Sequence, residues 1–113
     1  MPSLPYVLAL RATEALINQA LRYDPATANL TCDGTVVPLP PRERSLIEIL
    51  MREVGRVVPK RKLETALSEY GQEVTPNALE LAVSRVRKRL QPLETGVQIE
   101  TVRGIGYLLR QAP

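Results

Sequence analysis

The sequence contains no histidine, no tryptophan and no phenylalanine, and a single cysteine, Cys32. Without histidine, the commonest general base and the commonest metal ligand are both missing. One cysteine cannot form an internal disulfide, and with no histidine beside it there is no basis for a zinc site. That usage fits a reducing, cytosolic setting. Cys32 reads as a small buried hydrophobe in a strand rather than as a nucleophile. With four tyrosines as the only aromatics, the core must be aliphatic, built from Leu, Val and Ile. A long hydrophobic run is absent too. The most apolar N-terminal stretch, LPYVLALRATEALINQAL at residues 4–21, is broken by Arg11, Glu14, Asn18 and Gln19, and is too polar to cross a bilayer. It has neither a preceding basic region nor a small-residue cleavage site, so it does not read as a signal peptide. No nucleophile–base pair and no cluster of metal ligands is evident. Neither an enzyme nor a cofactor is therefore expected.

What is present suits one globular domain: 113 residues, 44% hydrophobic and 24% charged. The net charge of +3 is unevenly spread. Residues 1–75 carry nine basic and nine acidic residues, whereas residues 76–113 carry six basic and three acidic. A positive field at one end of a small domain suggests a polyanionic partner, although charge alone equally fits a solvated basic face.

Residues 1–19 hold Pro2 and Pro5 and then a helix-capable run, and read as a linker or the remnant of a neighbouring domain. The alternative is a first helix packed on the core. The domain proper is placed at 20–113. Residues 20–38 read as strands, with Leu21, Tyr23, Leu30 and Cys32 alternating with polar residues. Asp24-Pro25 and Asp33-Gly34 mark turns, the second the stronger because a tight hairpin needs positive φ at both central positions. Leu46, Ile47, Leu50, Met51 and Val54 predict a helix over 41–54. Val57-Val58 suggests a short extended piece. A second helix is expected over 60–70, with Leu63, Leu67 and Tyr70 on one side and Gly71 ending it. A loop over 71–74 precedes the segment TPNALELAVSRVRKRLQ at 75–91. There Thr75 can cap, Pro76 fits the first helical position, and Pro92 stops the helix after about Leu90. VQIETVRGIGYLLR at 97–110 reads as a hairpin with Gly104 and Gly106 at its tip. Strands, three helices and a hairpin give an α+β fold, the plan of a winged helix-turn-helix.

Placed at 100° steps, Leu79, Val83, Val86 and Leu90 fall on one stripe of the 76–90 helix. Asn77, Leu81, Ser84 and Lys88 fall roughly opposite, with Arg85 and Arg89 to one side and Glu80 and Arg87 on the other flank. One acid accompanies four cations, unlike the Glu/Lys alternation of a solvated face. A major groove admits a helix. Arginine can pair with guanine through two bonds, and an apolar side chain can touch a thymine methyl. Arg103 at the hairpin tip suits entry into a narrow minor groove. The bland readings are a solvated helix and a surface arginine in a turn. Lys60, Arg61 and Lys62 fit phosphate contact and simple solvation equally well.

From about Leu21 to Arg110 the chain resembles the DNA-binding domain of OmpR/PhoB-type response regulators, bacterial two-component transcription factors. ETVRGIGYLL at 100–109 is similar to that family's wing and LAVSRVRKRL at 81–90 to its recognition helix. RYDPATANLTCDG at 22–34 and LPPRERSLIEIL at 39–50 are similar to its first hairpin and first helix. The resemblance implies an N-terminal four-stranded antiparallel sheet, a three-helix core and a C-terminal β-hairpin wing. It implies sequence-specific binding of promoter DNA in the cytoplasm, as a monomer that dimerises on direct repeats. Arg85 matches a base-reading position and Arg87 a phosphate-holding one. Thr101 and Tyr107 match wing positions that touch the DNA backbone, and Arg103 the minor-groove arginine. Tyr70 stands where many members place a Trp near a phosphate, and Leu81 and Ser84 where contacts vary with the target. Gly71, Gln72, Glu73, Val74 and Thr75 match the loop that meets RNA polymerase. Asn77-Ala78 and Ala82 replace polar or basic residues that often contact phosphates, and Pro40 and Pro59 replace helix-capping residues. Members are switched by phosphorylation of an upstream receiver domain. Residues 1–19 are too few to form one, so a sensor kinase would act only through that missing domain. The alternative function is a winged-helix module for protein contacts without DNA reading.

Overall fold

The computed structural model describes residues 6–7, 21–68, 74–93 and 95–111. Four strands come first: β1 (Tyr6–Val7), β2 (Leu21–Asp24), β3 (Asn29–Cys32) and β4 (Thr35–Val37). They form one antiparallel sheet in the order β1-β2-β3-β4. The alternation of Leu21, Tyr23, Leu30 and Cys32 puts all four on the buried face. The β3–β4 turn has Asp33 at φ 51° and Gly34 at φ 83°, the positive pair that a tight hairpin requires. The β2–β3 turn is held by the Asp24 carboxylate, which accepts from the Ala26 amide at 2.9 Å. In the same turn Ala28 has φ 57°. Two residues of the segment read as a linker, Tyr6 and Val7, form the outer strand, in register with Tyr23 and Arg22.

Helix α1 (Pro41–Arg52) begins on Pro40, and α2 (Lys60–Leu67) begins on Pro59. Neither proline offers a side-chain cap, as their chemistry requires. Between these helices β5 (Val58–Pro59) occupies the place of the expected extended piece. Helix α2 stops at Leu67, before the expected end at residue 70, which lies outside the described residues. The reason is Ser68. Its hydroxyl donates to the Glu64 carbonyl at 2.6 Å and accepts from the Val74 amide at 3.1 Å, and its own amide turns back to Thr65. A serine that bonds its own helix in this way competes with helix continuation.

Helix α3 (Pro76–Leu90) starts as its sequence dictates. Pro76 sits in the first turn and the Thr75 hydroxyl accepts from the Ala78 amide at 3.1 Å. Its end runs into a short 3-10 turn, Gln91–Leu93, which contains Pro92. The hairpin is β6 (Val97–Val102) and β7 (Gly106–Gln111). With β5 it makes a second antiparallel sheet, ordered β5-β7-β6. Gly106 therefore lies not at the tip but in β7, opposite both Val102 and Pro59.

One aliphatic core joins these elements. It takes Leu46, Ile47, Leu50 and Met51 from α1, Leu63 and Leu67 from α2, and Leu79, Val83, Val86 and Leu90 from α3. The first sheet adds Leu21, Leu30 and Cys32, and the second adds Val58, Ile99, Tyr107 and Leu109. Cys32 is buried as expected, with its thiol 3.8 Å from the Leu93 carbonyl; burial pushes that thiol up from its ordinary pKa. No described helix is long and apolar enough to cross a membrane.

Candidate nucleic-acid interface

The stripe that packs α3 into the core fixes what the helix shows to the outside. Leu79, Ala82, Val83, Val86 and Leu90 are buried. The opposite face therefore presents Asn77, Leu81, Arg85 and Lys88, all exposed, with Ser84 partly so. Leu81 is 49% exposed, a large apolar side chain with no packing role. Ala82 is buried, so the position that the resemblance links to phosphate contact faces inward here.

Of the four cations on this helix, two are engaged within the protein. Arg87 gives its Nε and Nη2 protons to the Ile99 carbonyl, at 3.1 and 2.7 Å, and Nη2 also donates to the Thr101 hydroxyl at 2.9 Å. The expected phosphate-holding arginine is thus bound to the wing. Arg89 donates to the Pro38 carbonyl at 3.2 Å, tying α3 to the end of the first sheet. Sequence reasoning missed both roles, because the partners lie 12 to 51 residues away along the chain. Arg85 and Lys88 remain, neither with a hydrogen-bond or ion-pair partner among the described residues.

The wing presents a third cation without a partner among the described residues. Its tip, Arg103 to Ile105, is closed by the Ile105 amide donating to the Val102 carbonyl at 2.9 Å. The Lys60 amide donates to the Ile105 carbonyl at 3.1 Å, so the tip is also tied to the start of α2. Arg103 is exposed, and Ile105 beside it is 56% exposed. Thr101 stands on the open edge of β6 with its hydroxyl against Arg87. Tyr107 departs from expectation. It is only 4% exposed, because its ring packs into the core from β7. Burial and the nearby Glu80 carboxylate hold its phenol above the ordinary tyrosine range. It supports the wing and has little surface to offer a backbone.

Tyr70, Gly71, Gln72 and Glu73 lie outside the described residues. Val74 is buried, so its side chain belongs to the core and not to a contact loop, whereas Thr75 is exposed at the start of α3. Lys60, Arg61 and Lys62 open α2, the last two fully at the surface. The described residues contain no group of three or more side chains able to hold a metal.

An exposed helix face and a cationic hairpin tip, locked to one another, are the parts of a winged helix-turn-helix. Comparison with known proteins agrees. Residues 34–109 match the family described as "Transcriptional regulatory protein, C terminal". The chain belongs to this family. It is a DNA-binding effector domain of the OmpR/PhoB response-regulator type, and the family is one of regulators rather than enzymes. The response regulator protein PmrA of Pseudomonas aeruginosa is 40% identical over 102 residues, which cover 89% of this chain and 44% of PmrA. The chain thus spans less than half the length of the curated relatives it matches. Among solved structures, the DNA-binding domain of CpxR from E. coli superposes with a TM-score of 0.70 at 29% identity, covering 83% of this chain and 93% of that one. The DNA-binding domain of RstA from Klebsiella pneumoniae, solved in complex with the RstA box, gives 0.65 at 26% identity, covering 80% and 91%. For an OmpR/PhoB effector domain, α3 is the recognition helix and the β6–β7 hairpin the wing.

Proposed function

We propose that this domain binds duplex promoter DNA sequence-specifically, with α3 in a major groove and Arg103 of the wing in the adjacent minor groove. The observation that carries the reading is the set of cations without a partner among the described residues, Arg85, Lys88 and Arg103, on two elements joined by hydrogen bonds. A cation that the fold leaves without a partner is available for phosphate or a base edge. Arg85 is the base reader, flanked by Asn77, Leu81 and Ser84, whose hydrogen-bonding and apolar chemistry suits base edges and thymine methyls. Lys88 holds the backbone. In the whole protein the reading extends to head-to-tail dimers on direct repeats and to a polymerase contact around residues 71–75. It also includes control by a receiver domain that a sensor kinase phosphorylates, all in the cytoplasm.

The test is selection from a pool of random duplexes at two salt concentrations, with sequencing of the bound fraction. An enriched direct repeat is expected, its affinity falling with salt by about 0.9 log units per log unit for each phosphate held. Arg85→Ala should cost about 1–3 kcal/mol in binding and relax the sequence at one position. A second reading, a protein-contact module, draws on the exposure of Leu81 and Ile105. It would be favoured if no duplex bound even at low salt.

A further inference from the structure

The family resemblance assigns Arg87 to a phosphate, and in this chain its donors are directed at the wing. Arg87 places two N–H groups on one carbonyl, that of Ile99, and a third on the Thr101 hydroxyl. Both partners lie on β6, the edge strand of the β5-β7-β6 sheet. An edge strand leaves backbone groups without a neighbouring strand, and the guanidinium fork supplies the missing donors. Arg87 follows the base reader Arg85 by two residues on α3. Its second anchor, Thr101, precedes the tip arginine Arg103 by two residues on the wing. The latch therefore joins the two elements that carry the side chains expected to enter the two grooves. At the far side the tip is fixed by the Lys60 amide and the Ile105 carbonyl. The hairpin is thus held on one side to α3 and on the other to the start of α2.

We propose that Arg87 is a positioning residue that couples the wing to the recognition helix, so that Arg85 and Arg103 engage their grooves as one rigid unit. The inference rests on the DNA reading above and deepens it. It differs sharply from phosphate contact in what lysine can do. A lysine keeps the positive charge, which suffices for a phosphate. It lacks the planar fork that holds one carbonyl through two donors and a hydroxyl through a third.

The experiment uses the duplex selected from the random pool and four proteins: parent, Arg87→Lys, Arg103→Ala and the double variant. Binding constants are measured at one salt concentration, and 15N chemical shifts of the amides at 99–106 are recorded without DNA. Loss of Arg103 alone should weaken binding about 10-fold, within the roughly 5–150-fold range of one specific contact. Arg87→Lys should weaken it by a similar factor and shift the wing amides in the free protein. Adding Arg103→Ala to Arg87→Lys should then weaken binding by less than about threefold more, because an unlatched wing no longer delivers its arginine. Thr101→Val, which removes one latch bond and no charge, should show the same coupling in weaker form; it decides the matter if Arg87→Lys unfolds. The inference is overturned if Arg87→Lys binds within about twofold of the parent, or if the double loss equals the product of the single losses. If the parent itself binds no duplex at low salt, the DNA reading fails, and the latch has nothing to position.

Discussion

Two glycines in the wing sequence RGIG look interchangeable but are required for different physical reasons. At Gly106 the backbone is ordinary, and the constraint is space. A Cβ built there would lie 1.9 Å from the Val58 carbonyl oxygen, 2.8 Å from the Val58 carbonyl carbon and 3.0 Å from the Pro59 Cα. All three atoms belong to the backbone, so no side chain can rotate aside. To reach even 3.0 Å from the oxygen, β5 must retreat from β7 by about 1 Å, which breaks their two-residue pairing. Overpacking costs about 1–3 kcal/mol where side chains can adjust, and Gly106→Ala should reach the top of that range. At Gly104 the opposite holds. Nothing lies within 4 Å of the added methyl, but φ is +78°. Gly104→Ala should therefore cost only the left-handed penalty of about 1 kcal/mol. With no tryptophan in the chain, urea unfolding followed by far-ultraviolet circular dichroism is the suitable assay. The expected gap between the variants is about 2 kcal/mol, or roughly 8–16 °C in Tm for a domain of this size. If the two variants lose equal stability, or Gly106→Ala matches the parent, the close approach of β5 and β7 is not what requires glycine.

Further expectations follow from the first sheet and the helix starts. The Tyr23 hydroxyl, buried and donating to Glu48 at 3.1 Å, has its pKa raised to about 12, chiefly by burial and then by that carboxylate. A raised folded pKa gives stability that is intact below about pH 10 and lost as pH climbs toward 12. That loss is at most about 3 kcal/mol. Tyr23→Phe should flatten the fall in unfolding free energy across that window, and an unchanged pH profile would refute the assignment. Ala28, at φ 57°, carries left-handed strain, so Ala28→Gly should stabilise by up to about 1 kcal/mol in the same urea titration. Thr75→Ala removes the one side-chain cap among the three described helices and should cost about 1 kcal/mol; a neutral result would mean the cap is not formed in solution.

Much of the fold could be read in the sequence because its signals are local. The Asp33-Gly34 turn, the Thr75-Pro76 helix start and the Leu79/Val83/Val86/Leu90 stripe each depend on a few neighbouring residues, and each appears where expected. The outward face of α3 follows from the same periodicity, which is why Asn77, Leu81, Arg85 and Lys88 emerge together. The failures concern groups whose behaviour depends on distant chain. Arg87 and Arg89 look like free cations on a helical wheel, yet each meets a backbone carbonyl that only the tertiary fold brings near. Tyr107 looks like a wing surface residue, yet the pairing of β7 with both β5 and β6 turns it into the core. The early end of α2 was encoded locally, in Ser68, but a helical serine reads the same whether it faces solvent or bonds back to its own helix.

The proline start of α2 has a consequence for the order of events during synthesis. Pro59 has no side chain to satisfy the first free amides of that helix, and one of them, at Lys60, is instead met by the Ile105 carbonyl. The preceding turn depends on the same late segment, since the Gly55 amide donates to the Leu109 carbonyl at 2.8 Å. The middle of the domain is thus completed by residues made some fifty positions later. While a ribosome is still extending the chain through the wing, α2 lacks both its cap and its adjoining strand. The nascent domain then leaves Val58 of β5 without its partner Tyr107 until the hairpin arrives, and the final step of folding awaits the release of β7.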